Sequence, residues 1–372
     1  MSQRVLFLGE YGWQNGGENS FLAVAPLLIE QGFEFVTAVP SGSEFSAALE
    51  AIGCQSMDLP LFHQGHRKSQ SQIREELERL VRRVQPNLVH CNSISTSRLA
   101  GPVTRSCQVP SVGYLRDILR LSGQAIRDIS EMDQLVAVSQ ATRDYHVAAG
   151  MPAEQVLLIY NGVDLDRFNT RPPTGEFHSR LGIPNSGRII ICVGQIGIRK
   201  GVDIVLESFF SLAATDPSLQ LVLVGDRHSK KQEAIEYEQQ LKTASESSSF
   251  SNQVHWIGRI DNTPRLMNEA ILLLHAARQE PLGRVLLEAA ASGLPFVATH
   301  VGGTPEIVAD TGVELVPADD AAEMARVAQR LLDSSHQRGK IGRELRGQAV
   351  QRFSMQECAD NLHRLYRRLL NG

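Results

Sequence analysis

The chain has 372 residues, of which 42% are hydrophobic and 21% charged, and its 37 basic and 41 acidic residues leave a formal net charge of −4. This composition is typical of a globular protein large enough for two domains, and it excludes a disordered, fibrous or membrane-spanning chain. The small negative charge also argues against a protein that binds nucleic acid by neutralising phosphates over a broad face.

The first half alternates short apolar runs with helical patterns. In chain order, we predict a strand at 4–8, a loop at 12–17, a helix at 20–31, a strand at 33–39, an amphipathic helix that ends before Pro86, and strands at 88–91, 111–115 and 134–139. The amphipathic helix has its apolar residues at one-face spacing, at Ile73, Leu77, Leu80, Val81 and Val84. Alternating strands and helices predict a parallel sheet covered on both faces.

A dense group of turn residues at 161–187 is typical of a connection between domains. A second series of strands follows, at 188–193, 219–224, 254–257, 270–275 and 295–299. The last helix carries an apolar stripe that can dock on either domain. We therefore predict two doubly wound domains, 1–165 and 166–354, and packing of the helix at 355–372 back on the first domain is one of its two possible positions.

The cysteines and the N-terminal residues lead to two further expectations. The five cysteines are Cys54, Cys91, Cys107, Cys192 and Cys358. They form no C-x-x-C pair, so we expect buried thiols in a reducing cytosol and no zinc site. No apolar run approaches the roughly 18 residues of a membrane span, and the apolar start is too short for a signal peptide, so a cytoplasmic protein is expected.

The most informative segment is 279–295. Pro281 suits a helix entry and Gly293 a helix C-terminus, so a helix is predicted over about 283–292. Its first amides suit a phosphate, because the positive end of the helix dipole lies there.

Two carboxylates flank this predicted phosphate seat. Glu280 precedes the helix and Glu288 lies inside it. Carboxylates beside a phosphate are tolerated when they point at hydroxyl groups, which suggests a sugar on one side and a ribose on the other. From the spacing alone, a solvated helix start with two unrelated glutamates is equally possible.

The E-x7-E spacing of Glu280 and Glu288, followed by Ala-x-x-x-Gly-x-Pro, resembles the signature of glycosyltransferase family 4 (group 1). Other segments are similar to that family as well: 193–201 to its phosphate-gripping loop, 138–139 and 159–164 to its interdomain approach, and 16–18 and 302–306 to its glycine loops. The resemblance implies the GT-B fold, in which two Rossmann-like α/β domains face each other across a cleft.

The resemblance also implies the activity and the site. It implies a retaining transfer of a sugar from a nucleoside-diphosphate sugar to a hydroxyl acceptor, either a saccharide or a lipid-linked one, with no metal and no other cofactor. The residues expected to act in catalysis are Arg199, Lys200 and Glu280. The residues expected to bind the donor are Gly16, Gly17, Leu282, Gly283, Arg284, Val285 and Glu288.

Arg199 and Lys200 suit the chemistry, because a departing nucleoside diphosphate develops negative charge that fixed cations stabilise. The chain departs from the family at Gln195, where an arginine is common, and Arg199 can supply that cation. It departs again at Arg116 and Asp117, where many relatives show His-Asp, and both residues are assigned to the cleft.

Rival interpretations remain open at this point. A hydrolysing or epimerising nucleotide-sugar enzyme shares the two-domain layout, and a silent nucleotide-binding module is a third alternative. Helix residues Arg79 and Arg82 could contact an anionic membrane, although their i, i+4 pairing with Glu75 and Glu78 favours a plain exposed helix. His90 has no partner at metal-ligand spacing, so a buried role is favoured over a metal site.

Overall fold

The structure is a computed structural model that describes residues 2–59, 61–63 and 66–371. The chain divides into two compact units, Met1–Gly162 with Met355–Gly372 and Val163–Ser354. Val163 belongs to the second unit, where its N–H donates a hydrogen bond to the carbonyl of Phe353, 2.8 Å away. None of the helices in the described ranges is long and apolar enough to cross a bilayer.

The elements are numbered in chain order. The strands are β1 (Gln3–Leu8), β2 (Phe33–Val39), β3 (Gln55–Asp58), β4 (Phe62–His63), β5 (His66–Arg67), β6 (Leu88–Cys91), β7 (Ser111–Leu115), β8 (Gln134–Ala137), β9 (Val156–Leu158), β10 (Arg188–Val193), β11 (Leu219–Val224), β12 (Val254–Trp256), β13 (Leu272–His275), β14 (Phe296–Thr299) and β15 (Leu315–Val316).

The α-helices are α1 (Gly16–Glu30), α2 (Glu44–Ala51), α3 (Gln70–Val84), α4 (Ile94–Cys107), α5 (Gly123–Ser130), α6 (Gln140–Ala148), α7 (Glu176–Leu181), α8 (Val202–Ala213), α9 (Gln232–Ser247), α10 (Thr263–Glu269), α11 (Arg284–Ala291), α12 (Thr304–Ile307), α13 (Ala321–Asp333), α14 (Ser335–Arg352) and α15 (Met355–Asn371). Two short 3₁₀ helices lie at Ile198–Lys200 and Ser251–Gln253.

Each unit is built around a parallel sheet. The strand order is β3-β2-β1-β6-β7-β8-β9 in the first unit and β12-β11-β10-β13-β14-β15 in the second. The order reverses between β1 and β6 in the first sheet and between β10 and β13 in the second. At such a switch point the loops after the two strands diverge, which opens a crevice at the carboxyl ends of the strands. Each unit therefore offers one predicted ligand crevice.

The expected doubly wound α/β architecture is confirmed, and several strands have the predicted bounds, including β2, β6, β7, β10 and β11. The strand predicted over 134–139 ends early, at Ala137. The reason is local, because the Ser139 hydroxyl accepts a hydrogen bond from the Thr142 N–H and caps α6. The predicted apolar face of α3 is buried as expected.

Two predictions at helix starts are wrong. Helix α1 begins at Gly16 rather than at residue 20, because the Glu18 carboxylate accepts a hydrogen bond from the Asn15 N–H, 3.1 Å away, and closes the first turn. Helix α7 lies inside 161–187, where only a connection was predicted. The buried Glu269 carboxylate holds it, accepting hydrogen bonds from the N–H groups of Glu176 and Phe177, each at 2.9 Å.

Helix α15 packs on the first unit, although the second unit precedes it in the chain. The Tyr366 hydroxyl hydrogen-bonds Nδ1 of His90, and the Tyr366 ring meets Phe33 edge on, with ring centroids 5.1 Å apart. His90 also stacks on Tyr114 at 5.1 Å. Burial lowers the pKa of His90 to about 3, so this imidazole is neutral and belongs to the core.

Candidate functional site

The loop after β10 carries the first part of the candidate site in the second unit. It runs through the 3₁₀ turn that contains Arg199 and Lys200 and ends at Gly201, whose φ is +63°. A β-carbon at Gly201 would lie 2.0 Å from the carbonyl oxygen of Ala276, just after β13. Only glycine therefore allows this loop to approach the loop after β13, its neighbour at the switch point.

Arg278 fixes the two loops to each other. Its N–H donates to the carbonyl of Arg199 at 2.8 Å, and its guanidinium donates to the carbonyl of Ile198 at 2.6 Å. The same guanidinium pairs with both carboxylate oxygens of Asp203, at 3.0 and 2.7 Å. Arg199 in turn donates to the carbonyl of Gln279 at 2.8 Å. Arg199 is exposed and is thus held twice, at its carbonyl by Arg278 and at its guanidinium by the carbonyl of Gln279.

Glu280 is the centre of a buried charged group. Its Oε2 accepts from the Lys200 ammonium and lies 3.0 Å from Nε2 of His275. All three side chains are largely buried, with 16% of Lys200, 8% of Glu280 and 3% of His275 exposed. Burial alone would raise the pKa of Glu280, but the Lys200 charge and the hydrogen bond to His275 hold it well below its usual range.

His275 is neutral in this group. Burial lowers its pKa, and the hydrogen bond to Glu280 only partly opposes that effect. A neutral imidazole beside an ionised carboxylate must carry its proton on the nitrogen that faces it, so His275 donates from Nε2 to Glu280. The ion pair is therefore Lys200 with Glu280, and His275 orients the carboxylate.

Helix α11 has its N-terminus where the anion site is predicted. It begins at Arg284, with Gly283 as N-cap at a φ of +104° and no side chain capping the first turn. Leu282 is buried and anchors the turn. Glu288, one turn further, pairs with Nε of Arg284 at 2.8 Å. The predicted helix is confirmed within one residue at each end, and the pairing of Glu288 with Arg284 was not predicted.

The later glycine loop, at 302–306, contacts the segment that carries Glu280. The N–H of Gly303 donates to the carbonyl of Glu280 at 3.0 Å. The second unit thus brings together the predicted residues on 199–200, 280–288 and 302–306.

The other predicted site residues lie in the first unit. Gly16 and Gly17 form the first turn of α1, and a β-carbon on Gly17 would lie 3.1 Å from Cδ of Arg116. Arg116 donates to the carbonyl and side-chain oxygens of Asn92, both at 2.9 Å, and to the side chain of Asn161 at 2.8 Å. Asp117 is exposed. The guanidinium of Arg116 therefore lies near the carboxyl ends of β6 and β7, held by Asn92 and Asn161.

Sequence reasoning missed His275, Arg278 and Asp203. A histidine that ends an apolar strand five residues before Glu280 was a usable signal for the first. No sequence signal indicates the pairing of Arg278 with Asp203, because it depends on how the segments after β10 and β13 pack together. Within residues 2–59, 61–63 and 66–371, no group of three or more His, Cys, Asp or Glu side chains is arranged to hold a metal ion.

Two family models match the chain. Residues 14–167 match the one described as Glycosyltransferase Family 4, and residues 174–348 match the one described as Glycosyl transferases group 1.

Curated relatives align with part of the chain. Spore coat protein SA of Bacillus subtilis is 27% identical over 56% of this chain and 57% of its own length. A GDP-mannose-dependent monoacylated alpha-(1-6)-phosphatidylinositol monomannoside mannosyltransferase of Corynebacterium glutamicum is 28% identical over 71% of this chain and 69% of its own length. Across the first three curated relatives that it matches, the chain spans 57% to 60% of their length.

A solved structure extends the fold comparison to nearly the whole chain. The HepE protein of Anabaena, in complex with UDP and glucose, superposes with a TM-score of 0.86 at 21% identity, covering 98% of this chain and 99% of that one. The two family models, the strand order of the two sheets and this superposition agree. The chain belongs to glycosyltransferase family 4 (group 1) and has the GT-B fold of two Rossmann-like domains.

Proposed function

We propose that the chain transfers a sugar from a nucleoside-diphosphate sugar to a hydroxyl acceptor with retention of anomeric configuration. The observation that carries the proposal is the meeting of Arg199, Lys200 and Glu280 at the switch point of the second sheet, beside the start of α11. Cations and helix amides at a crevice suit a diphosphate.

In the proposed reaction the bond between the anomeric carbon and the donor phosphate oxygen breaks while the acceptor hydroxyl bonds to the same face of that carbon. The departing phosphate oxygen accepts the hydroxyl proton, so no enzyme nucleophile is required. Arg199, Lys200 and the first amides of α11 stabilise the charge that develops on the diphosphate. Because these groups are fixed before the reaction, little reorganisation is needed when the bond opens.

The buried ion pair gives Lys200 a defined position. An ammonium on a flexible four-carbon stem loses much of its freedom when it is held by Glu280, which His275 orients in turn. In this proposal Glu280 also lies beside a hydroxyl of the transferring sugar, and Glu288 binds the ribose. The acceptor is a saccharide or a lipid-linked one. No metal or other cofactor takes part.

The test of donor binding is a thermal-shift panel of UDP, GDP and ADP. The panel covers the nucleotides named for the Anabaena structure and the Corynebacterium relative and adds a third base. A nucleotide that binds only the folded state at 100 times its Kd adds about 2.7 kcal/mol to the free energy of unfolding.

Two variants make this test specific. Arg199→Ala should reduce the shift, whereas Lys340→Ala, which removes an exposed lysine of α14, should leave it unchanged. If no nucleotide of the panel shifts the wild-type protein, the proposed donor site is wrong. If a shift is found, transfer is measured with the matching sugar nucleotide, with and without saccharide acceptors.

A further inference from the structure

Arg278 joins more of the second unit than the two loops described above. Its Nε donates to Oδ1 of Asp319 at 2.6 Å, in the segment before α13. Its two terminal nitrogens bind Asp203, which lies in the first turn of α8, and one of them also donates to the carbonyl of Ile198. One guanidinium therefore connects the turn after β10, the start of α8 and the segment before α13.

Asp203 is itself fixed by a second partner. Tyr237 of α9 is buried, and its hydroxyl donates to Oδ1 of Asp203 at 2.6 Å while it accepts from the N–H of Asp203 at 3.2 Å. Burial opposes the ionisation of Asp203, but the hydrogen bonds from Arg278 and Tyr237 outweigh it and lower the pKa of this carboxyl. Arg278 thus pairs with a carboxylate that is anchored on two helices.

Asp319 is the second carboxylate of the group, and its backbone conformation is unusual. Its φ is +61°, in the left-handed region that residues with a β-carbon rarely adopt. Such a conformation persists where the surroundings hold it in place. Here the ion pair with Arg278 lies on one side, and on the other Asp320 caps α13 by accepting from the N–H of Glu323 at 2.8 Å.

Arg278 acts on the turn at 198–200 through the backbone. Its guanidinium binds the carbonyl of Ile198, and its own N–H binds the carbonyl of Arg199 at 2.8 Å. It also lies two residues before Glu280, the partner of Lys200. A shift of Arg278 would therefore move the turn that carries both cations and the segment that carries their carboxylate partner.

The charge of Arg278 is balanced where it lies. Its guanidinium faces the carboxylates of Asp203 and Asp319, so a phosphate would have to displace at least one of them. This makes a direct contact with the substrate unfavourable and leaves an indirect role.

We propose that Arg278 is a positioning residue for the diphosphate of the donor: by holding the backbone of the turn at 198–200, it sets where Arg199 and Lys200 meet the phosphates. The inference rests on the proposed transferase function and adds a residue that acts through other residues. Arginine suits this role better than lysine, because its planar fork binds several oxygens in one fixed geometry. Displacing a positioned group by about 1 Å can cost two orders of magnitude in rate, so the anchor of the turn matters as well as the turn.

The test is calorimetry on the full chain with whichever of UDP, GDP and ADP binds most tightly. Arg278→Ala should weaken binding about tenfold, a coupling typical of residues in one hydrogen-bond network. Arg278→Lys should weaken it to a similar extent, because it keeps the charge but loses the fork.

Arg188→Ala is the matched control. Arg188 begins β10, at the opposite end of the strand from the turn, pairs with Asp216 at 2.7 Å and donates to the carbonyl of Leu332 at 2.7 Å. Its removal breaks the same kinds of contact and should leave nucleotide affinity unchanged.

Two further variants separate positioning from a general loss of structure. In the Arg199→Ala background, Arg278→Ala should weaken binding by less than about threefold, because one of the cations it positions is already absent. Asp319→Gly removes one anchor of Arg278 at a position whose positive φ glycine adopts freely, so this variant keeps its fold. It should weaken binding about two- to threefold, and it decides the question together with Arg278→Lys if Arg278→Ala does not fold.

Three results would overturn the proposal: unchanged affinity in Arg278→Ala, full affinity in Arg278→Lys, or equal losses from Arg278→Ala with and without Arg199. Any of them with a wild-type protein that binds nucleotide refutes the positioning role and leaves the donor site standing. A wild-type protein that binds none of the three nucleotides refutes the donor site, and the positioning role with it.

Discussion

Glu280 accepts from Lys200 and His275 on a single carboxylate oxygen, in a place where little water reaches. Its negative charge is stabilised mainly by these two partners. Any change to Lys200 therefore acts on the stability of the protein as well as on the chemistry of the site, and the two effects can be separated.

Lys200→Ala should lower turnover by about 10² to 10³, because one preorganised donor to developing charge is lost. It should also lower the free energy of unfolding by about 3 to 5 kcal/mol, since the buried charge of Glu280 loses its ion-pair partner. The double variant Lys200→Ala with Glu280→Gln should recover most of that stability but not the turnover. Urea denaturation and steady-state kinetics measure the two quantities.

Arg199→Ala is the matched control for stability. Arg199 is exposed, so its removal should lower turnover to a similar extent with little change in the denaturation midpoint. Unchanged turnover in both single variants would place the diphosphate elsewhere.

The two glutamates should differ in their effect on product binding. Glu288→Gln should weaken binding of the nucleoside diphosphate, because that product keeps the ribose assigned to Glu288. Glu280→Gln should weaken product binding less than Glu288→Gln does, through the position of Lys200 alone, and should mainly lower kcat with donor varied, because the sugar is absent from the product. Calorimetry of both variants against the product is the measurement, and equal losses of affinity would contradict the proposed division of roles.

At the residue scale, the sequence indicated candidate residues but not their contacts. Spacing and family resemblance proposed Glu280, Glu288, Arg199 and Lys200 as site residues, and the structure brings their segments together in the second unit. That Lys200 reaches Glu280 could not be predicted, because the contact joins residues 80 positions apart through the meeting of two strand ends.

At the element scale, buried strands were the most predictable parts. Strands β10 and β11 are apolar apart from one residue each and are buried on both faces, so their bounds follow from the residues alone. Helix starts were less predictable, because α1 is set by one capping contact and α7 by the carboxylate of the distant Glu269. Those contacts depend on packing that a local pattern does not contain.

Acid should lower the free energy of unfolding through His90, the histidine that contacts α15. His90 is neutral in the folded protein, with a pKa lowered to about 3 by burial, and has an ordinary pKa of about 6.5 when unfolded. Below about pH 6.5 the unfolded chain binds the extra proton, so stability falls as the pH decreases and is fully present above that value. This single group should cost about 2 kcal/mol between about pH 7.5 and about pH 5.

Comparison with His90→Phe isolates that contribution. The variant loses the hydrogen bond to Tyr366 and is less stable at neutral pH, but its stability should fall less steeply toward acid. Urea denaturation at the two pH values gives the slopes. Identical slopes for the two proteins would show that His90 is not the titrating group.

At the scale of the whole molecule, we predict that transfer persists, at least in part, after treatment with EDTA. The positive charge that the departing diphosphate needs is supplied in our proposal by Arg199, Lys200 and the amides of α11. The measurement is turnover with and without the chelator once a donor is known. Complete loss that Mg²⁺ or Mn²⁺ restores would contradict the prediction.

The return of α15 to the first unit affects how the protein is made. Residues 2–162 leave the ribosome long before Tyr366 is synthesised. Phe33 and His90 therefore lack their contacts with Tyr366 of α15 until all of 163–354 has been synthesised. During that interval the nascent first unit exposes apolar surface that chaperones recognise. A translation product that stops anywhere before 355 lacks α15 and keeps this surface exposed permanently.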